Sequence, residues 1–169
     1  MPDRAVTVLQ RRIRDLPGRR LELADALVVA QGLAGAGLLW PGRGRWSLPR
    51  PIRRAALAVT LLGTAAGALG ARQLGSGLTP RVEPPPQAAL RTTGPYAVSR
   101  HPIYAGVLVC GAGFAVLRRR PEPLLALAAL AGVLHVKAGI EERRLRDRFG
   151  TRYDEYARRT PRLIGLPRR

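Results

Sequence analysis

Two short stretches of the chain combine residue types that could bind a charged ligand. In the first, Arg100, His101 and Tyr104 surround Pro102 at the start of an apolar run. Proline suits the first position of a helix, where its missing N–H group costs nothing, so His101 is predicted to cap that helix. The free backbone N–H groups and the positive end of the helix dipole favour an anion there. The same side chains would also suit an anchor at a membrane interface, and the spacing favours neither interpretation.

The second stretch is the carboxylate pair Glu141-Glu142, which directly follows another apolar run. His135 and Lys137 lie within the two helical turns that precede it. The pair could be the solvated start of a helix. If it lay beside His101, however, an amine-bearing ligand with a carboxylate would find complementary groups at both ends of one pocket.

Composition excludes several classes of site. A single cysteine rules out a disulfide framework and a cysteine-rich metal site, and two histidines leave little for zinc or iron, so no metal is expected. No strand-like run precedes a phosphate-binding motif, which argues against Rossmann and P-loop enzymes. The net charge of +18 suggests nucleic acid. Since 28 of the 29 basic residues are arginine, a bias of GC-rich codons explains much of that charge, and no nucleic-acid partner is expected.

The arginines are absent from four apolar segments and crowded between them. None of the four has the one-sided polar face that a helix of a soluble bundle needs. Crossing a bilayer takes about 20 apolar residues, so each segment is marginal, and a soluble bundle of buried helices is the alternative. We predict an all-α, multi-pass membrane helix bundle of about four transmembrane helices. The segments are 21–40, 55–71, 103–117 and 123–140.

The distribution of arginine predicts the orientation. With four passes, 20 of the 28 arginines fall on the side that holds both termini, which places both termini in the cytoplasm of a cell-membrane protein. Residues 1–20 then form a basic cytoplasmic segment, and 21–169 form one membrane domain with a cytoplasmic helical tail. The short connection 118–122 predicts that the third and fourth segments form an antiparallel hairpin. That hairpin would bring the His101 and Glu141 ends together.

Glycine patterns in the first two segments superficially resemble phosphate-binding loops. The first is Gly32-x-x-Gly35-x-Gly37 and the second is Gly63-x-x-x-Gly67. Neither follows a strand nor precedes Lys-Ser/Thr, so both are interpreted as sites of close helix packing.

The second half of the chain resembles the isoprenylcysteine carboxyl methyltransferase and phospholipid methyltransferase superfamily, over roughly residues 55–167. The resemblance rests on several motifs in a fixed order, and the stretches Leu74-Gly75 and Leu78-Thr79-Pro80 also look like its small bacterial members. The motifs are Gly94-Pro95-Tyr96-x-x-x-Arg100-His101-Pro102-x-Tyr104-x-Gly106, then Glu141-Glu142, then Phe149-Gly150-x-x-Tyr153-x-x-Tyr156, then Pro161.

This resemblance implies an integral membrane methyltransferase that uses S-adenosylmethionine and modifies a lipophilic acceptor, an isoprenylcysteine-like carboxylate being one candidate. His101 and Glu141 are the only plausible helpers in catalysis, and both are expected mainly to bind. Relatives often have a histidine where this chain has Ala88, while Leu90 keeps the apolar position that follows. The implied cofactor contacts are Leu90, Tyr96, Arg100, His101, Pro102, Ile103, Tyr104, Gly111, Gly113, Glu141 and Glu142.

Lys137 occupies the place where the carboxyl methyltransferases have a basic residue near the acceptor, which makes it the candidate substrate-binding residue. The alternative is a snorkelling lysine paired with Glu141 four residues on. Two other functions remain open. One is a sterol-type reductase that uses a nicotinamide cofactor, although Ile103 stands where those enzymes usually have asparagine. The other is a small membrane protein without enzymatic activity.

Overall fold

The structure is a computed structural model that describes residues 17–75 and 89–164, without the side chains of 17–24. The basic segment 1–16, the connection around Ala88 and the last five residues lie outside the described part. Every regular element within it is a helix, as predicted. The helices are α1 (Pro17–Leu39), α2 (Arg50–Leu74), α3 (Pro95–Val98), α4 (Pro102–Arg118), α5 (Pro121–Phe149) and α6 (Thr151–Arg159).

All four apolar segments are helical, and most of the helix ends lie beyond the predicted bounds. The largest difference is in α5, which continues for nine residues past the predicted end at Ile140. Glu141 and Glu142 therefore lie inside a helix, and Glu142 is buried, so the alternative of a solvated helix start is wrong. Likewise α1 begins at Pro17, ahead of the predicted start at residue 21.

Glycines bring α2 and α4 into the closest helix contact of the molecule. A Cβ atom at Gly63 would collide with the backbone of Cys110, and one at Gly106 would collide with the backbone of Gly67. Only hydrogen side chains allow two helix backbones to approach this far. The interpretation of Gly63 and Gly67 as packing residues is confirmed.

The other close pair is α1 with α5, and α4 lies between α2 and α5. Gly37 contacts this neighbour, since a Cβ there would lie 2.9 Å from the Cβ of Ala126. No atom of the described chain lies near the corresponding positions of Gly32 and Gly35, so the packing prediction is wrong for these two. The buried apolar residues that join α1, α4 and α5 are Leu38, Ala115, Leu130 and Leu134.

Within the described residues, two helices have the length and apolar composition to cross a membrane, namely α2 and α5. The remaining apolar helices are shorter, Asp25–Leu39 within α1 and the 17 residues of α4. At 1.5 Å per residue, α4 is about 26 Å long, a few ångströms less than the ~30 Å hydrocarbon layer.

The connection between α2 and α4 turns where the sequence predicts. Gly94 has φ 58°, a left-handed conformation that favours glycine, and Gln73 at the end of α2 donates to the carbonyl of Thr93 at 3.0 Å. His101 is then the N-cap of α4 and Pro102 its first residue, as predicted. The hairpin of α4 and α5 returns the chain to the same end of the bundle.

Candidate functional site

The side chain of Glu141 is the centre of a polar cluster at the end where α4 begins. The hydroxyl of Tyr104 donates to Glu141 Oε1, and His101 Nδ1 lies 3.3 Å from Glu141 Oε2. The rings of His101 and Tyr104 stack with their centroids 5.3 Å apart. Burial raises the pKa of the Tyr96 phenol, and the nearby charge of Glu141 raises it further. The structure therefore brings together four residues that the sequence analysis selected.

The two glutamates favour the charged form of His101. Burial by itself lowers the pKa of this imidazole, but its contacts with Glu141 and Glu142 outweigh burial and hold the pKa above its ordinary value. Nε2 lies 3.4 Å from Glu142 Oε1, yet this buried nitrogen makes no hydrogen bond within the described residues. Both nitrogens of a protonated imidazole are donors, and each of them lies within ion-pair distance of one glutamate.

Two arginines of the chain balance the negative charge of Glu142. Arg162 donates from Nε to Oε1 at 3.0 Å and from Nη2 to Oε2 at 2.6 Å, which is the bidentate geometry of the strongest ion pairs. Arg100 Nη2 adds a third contact at 3.1 Å. The Glu142 side chain is 4% exposed, whereas that of Glu141 is 21% exposed. The two adjacent carboxylates thus differ in kind, because Glu142 is buried against two guanidiniums while Glu141 reaches the surface of the cluster.

A strap of backbone from the C-terminal part of the chain closes this end. The carbonyl of Pro161 accepts from the N–H of Arg100 at 2.9 Å, and the carbonyl of Arg162 accepts from the N–H of His101 at 3.1 Å. Helix α6 lies behind the strap, with Tyr156 donating its hydroxyl to the carbonyl of Tyr96 at 2.6 Å. Tyr153 is fully buried, and burial raises the pKa of its phenol to about 12.

Lys137 lies one turn deeper in the bundle than Glu141. Its ammonium donates to Gln31 Oε1 of α1 at 2.9 Å and lies 5.6 Å from the centre of the Tyr104 ring. The residue is only 2% exposed, so the alternative of a lysine snorkelling to the surface is wrong. A buried ammonium between α1, α4 and α5 next to the cluster can attract a carboxylate.

Other predicted site residues lie apart from Glu141. A Cβ at Gly70 would lie 3.1 Å from Ile103 and 3.2 Å from Pro102, so those two side chains pack on α2. Gly111 lies against Leu127, and Gly113 lies against the backbone of α2. Leu90 is half-buried before the Gly94 turn. Helix packing accounts for the glycine pair without a ligand.

Sequence reasoning missed Arg162 and Gln31. Arg162 directly follows Pro161, the last motif residue, but it is one of ten arginines after residue 140, and residue type alone could not select it. Gln31 is the polar residue in the middle of an apolar stretch. A buried lysine needs such a partner, and this is the signal that could have identified it.

Two comparisons with known proteins give matches. The family model described as phospholipid methyltransferase matches residues 52–152. The chain is also 36% identical over 79 residues to protein-S-isoprenylcysteine O-methyltransferase B of Arabidopsis thaliana. That alignment covers 46% of this chain and 39% of the relative, so the chain spans about two fifths of that protein.

The family match includes α2, α4 and α5, and therefore the helices that carry His101, Tyr104, Glu141 and Glu142. It favours the methyltransferase interpretation over the reductase and the non-enzymatic one, and the apolar helices agree with a membrane location. The resemblance found in the sequence is confirmed, and the chain belongs to the phospholipid methyltransferase family of membrane methyltransferases.

Proposed function

We propose that the protein transfers the methyl group of S-adenosylmethionine to a lipophilic acceptor at the Glu141 cluster. The observation that carries the proposal is the asymmetry of the carboxylate pair. Two arginines balance Glu142, whereas Glu141 is partly exposed among Tyr96, His101 and Tyr104. A partly exposed carboxylate suits a cationic ligand.

The residues present fit such a donor, which carries an ammonium, a carboxylate and ribose hydroxyls on one molecule. Glu141 offers acceptor oxygens for an ammonium or a hydroxyl. The protonated imidazole of His101 between the two glutamates offers positive charge for a carboxylate. When bound, S-adenosylmethionine supplies an electrophilic methyl group for in-line displacement.

The protein's own contribution is binding, alignment and exclusion of water, since methyl transfer from a sulfonium needs no covalent intermediate on the enzyme. Glu141 and His101 bind and orient. Arg100, Arg162 and Glu142 hold the start of α4 and the middle of α5 in fixed register. Tyr104 keeps the Glu141 carboxylate in one rotamer by its hydrogen bond.

A carboxylate acceptor is the class that best suits Lys137. The ammonium sits one helical turn from Glu141 on the apolar side of the cluster, where it would attract an acceptor carboxylate and repel an acceptor ammonium. The matched relative is by its name an S-isoprenylcysteine O-methyltransferase, and an isoprenylcysteine-like carboxylate has this chemistry. A carboxylate also needs no general base.

We further propose that α1, α2, α4 and α5 all span the membrane, with both termini and the Glu141 cluster on the cytoplasmic side. Arginine and tyrosine flanks extend the shorter α1 and α4 into the interface. The soluble donor would then enter from the cytoplasm, and the lipophilic acceptor would enter sideways between helices.

Isothermal titration of the detergent-purified protein with S-adenosylhomocysteine tests the donor class. We expect binding that Glu141→Gln weakens by at least about tenfold, because a charged hydrogen bond is worth ~1.5–3 kcal/mol. Tyr104→Phe should weaken it less. Glu155→Gln, which changes an exposed carboxylate of α6, is the matched control. Binding of NADPH without binding of S-adenosylhomocysteine would refute the proposal in favour of a reductase.

The acceptor class has its own assay. With radiolabelled S-adenosylmethionine, an S-farnesylcysteine derivative with a free carboxylate should be methylated, and Lys137→Met should raise its KM. Phosphatidylethanolamine is the amine-bearing alternative. If only that lipid were methylated, the carboxylate acceptor would be wrong while the donor proposal stood.

A further inference from the structure

The end of the bundle opposite the Glu141 cluster carries a dense group of exposed arginines. We define the arginine cap as Arg43, Arg50, Arg53, Arg54 and Arg119, all of which are exposed. They come from the α1–α2 loop, the first turn of α2 and the α4–α5 turn. We propose that the arginine cap binds the headgroups of anionic phospholipids.

The packing of α2 on α4 sets the cap residues at one level. These helices run antiparallel, with Gly106 against Gly63 and Gly67 and with Gly113 against Ala56 and Thr60. Extending that register places the end of α4 beside the first turn of α2. Arg53 and Arg54 therefore lie at the same height as the α4–α5 turn.

The loop between α1 and α2 is fixed against that turn by buried donors. Arg120, which is buried, donates to the carbonyls of Trp40 and Pro41. The backbone N–H of Arg45 donates to the carbonyl of Arg119 at 2.8 Å. A Cβ at Gly44 would lie 2.6 Å from Arg119 Nε, so this guanidinium rests on the loop next to Arg43. The fold therefore brings the charges of the arginine cap together.

Little negative charge balances the cap. Glu122 is the only acidic residue in 40–54 and 117–123, and its carboxylate pairs with Arg45 at 2.5 Å. Among the residues that the structure describes, no carboxylate lies within ion-pair distance of a cap arginine. Helices α2 and α5 also begin at this end without a side-chain cap, which adds two positive dipole ends.

The position of this charge selects a lipid headgroup as the ligand. Trp40 is 65% exposed beside the cap, and tryptophan concentrates at the level of lipid headgroups. Apolar residues that would face lipid begin directly below it, among them the exposed Leu57 and Leu125. Phosphate groups of anionic lipids lie at this depth and bind arginine in a bidentate manner.

The two tryptophans of the chain, Trp40 and Trp46, make the test specific for this end. Detergent-solubilised protein is titrated with dibrominated phosphatidylglycerol or dibrominated phosphatidylcholine, whose bromine atoms quench nearby indoles. We expect half-maximal quenching at about tenfold lower concentration of the anionic lipid. High salt should reduce this preference because it screens exposed charges.

A triple variant, Arg43→Gln/Arg53→Gln/Arg54→Gln, should reduce the preference to about twofold or less. The matched control changes three exposed arginines of α6 at the other end, Arg152→Gln/Arg158→Gln/Arg159→Gln, and should keep it. Equal quenching by both lipids, or an unchanged preference in the cap variant with wild-type helicity, would overturn the proposal. Loss of the preference in millimolar inorganic phosphate at constant ionic strength would identify free phosphate as the ligand and overturn the lipid assignment.

Discussion

At the scale of single residues, the fold gives two neighbouring carboxylates opposite tasks. Glu142 is enclosed by Arg100 and Arg162, while Glu141 shares its charge with a tyrosine and a histidine. The sequence motif contains both glutamates and cannot separate them. What separates them is the rotation of about 100° between successive helix positions, which turns one toward the C-terminal strap and the other toward Tyr104.

Removal of Arg162 should therefore affect the site through Glu142. We expect Arg162→Ala to lower the free energy of unfolding by about 1.5–3 kcal/mol, the worth of hydrogen bonds to a charged group, because a buried carboxylate loses its bidentate partner. Arg162→Lys keeps the charge but not the fork and should recover only part of the loss. Urea unfolding in detergent measures this, with the exposed Arg158→Ala as control.

A second readout separates a positioning role of Arg162 from mere stability. Without Arg162, the Glu142 carboxylate interacts more strongly with His101, so the pKa of His101 should rise further. NMR of the imidazole resonances follows this directly, since the chain has only two histidines. An unchanged pKa of His101 in Arg162→Ala would mean that Arg162 contributes to stability alone.

The raised pKa of His101 predicts how stability depends on pH. Its value in the folded protein exceeds the ordinary 6.5, so protonated His101 stabilises the fold fully below about pH 6.5. This contribution is lost as the pH rises through the folded pKa. The unfolding temperature of the wild type should thus approach that of His101→Gln at alkaline pH. A constant difference across the range would contradict a charged His101.

At the scale of helices, the contact of α2 with α4 predicts opposite effects on stability for alanine substitutions at two glycines. Gly106→Ala inserts a Cβ against the backbone of Gly67, which cannot yield as a side chain would, so we expect destabilisation by about 1–3 kcal/mol. Gly132→Ala in α5 meets no described atom within 4 Å and should stabilise by about 0.5–1 kcal/mol. Thermal unfolding of both variants in one detergent decides this, and an unchanged or raised unfolding temperature of Gly106→Ala would refute the packing.

The helices were predictable from sequence where their cause is local. Predominantly apolar runs marked the four long helices, and Pro102 marked the start of α4. The nine residues that extend α5 beyond Ile140 are mostly charged and gave no such signal. Their contacts are with Arg100, Arg162 and the buried Tyr153, all of which lie outside the apolar run. The packing prediction failed at Gly32 and Gly35 for the same reason, since these two look like Gly37 until the neighbours are placed.

The same distinction between local signals and distant contacts applies to the residues of the candidate site. His101, Tyr104 and Glu141 were found because each belongs to a motif and because a short turn forces α4 and α5 into a hairpin. Arg162 and Gln31 were missed because their roles depend on a single distant partner. The burial of Lys137 also depends on Gln31, because that amide makes burial of the ammonium tolerable.

At the scale of the whole molecule, the two ends of the bundle have different characters. One end collects the motif residues, the C-terminal strap and α6, and the other consists of the arginine cap on short loops. Both ends are basic, so the orientation in the membrane follows from charge only through the excess of arginine at the end that carries the Glu141 cluster. A membrane that follows this excess would place the Glu141 cluster in the cytoplasm and the cap on the opposite face.

Single-cysteine labelling in intact cells tests that orientation and the multi-pass arrangement together. In a Cys110→Ser background, which removes the chain's only cysteine, Arg43→Cys should react with a membrane-impermeant maleimide from outside. Arg158→Cys should react only after the membrane is permeabilised. Labelling of both from one side would contradict an odd number of crossings between the α1–α2 loop and α6, and the reversed pattern would keep the spanning bundle but invert it. The expected pattern would leave the donor site facing the cytoplasm, where a soluble methyl donor can reach Glu141.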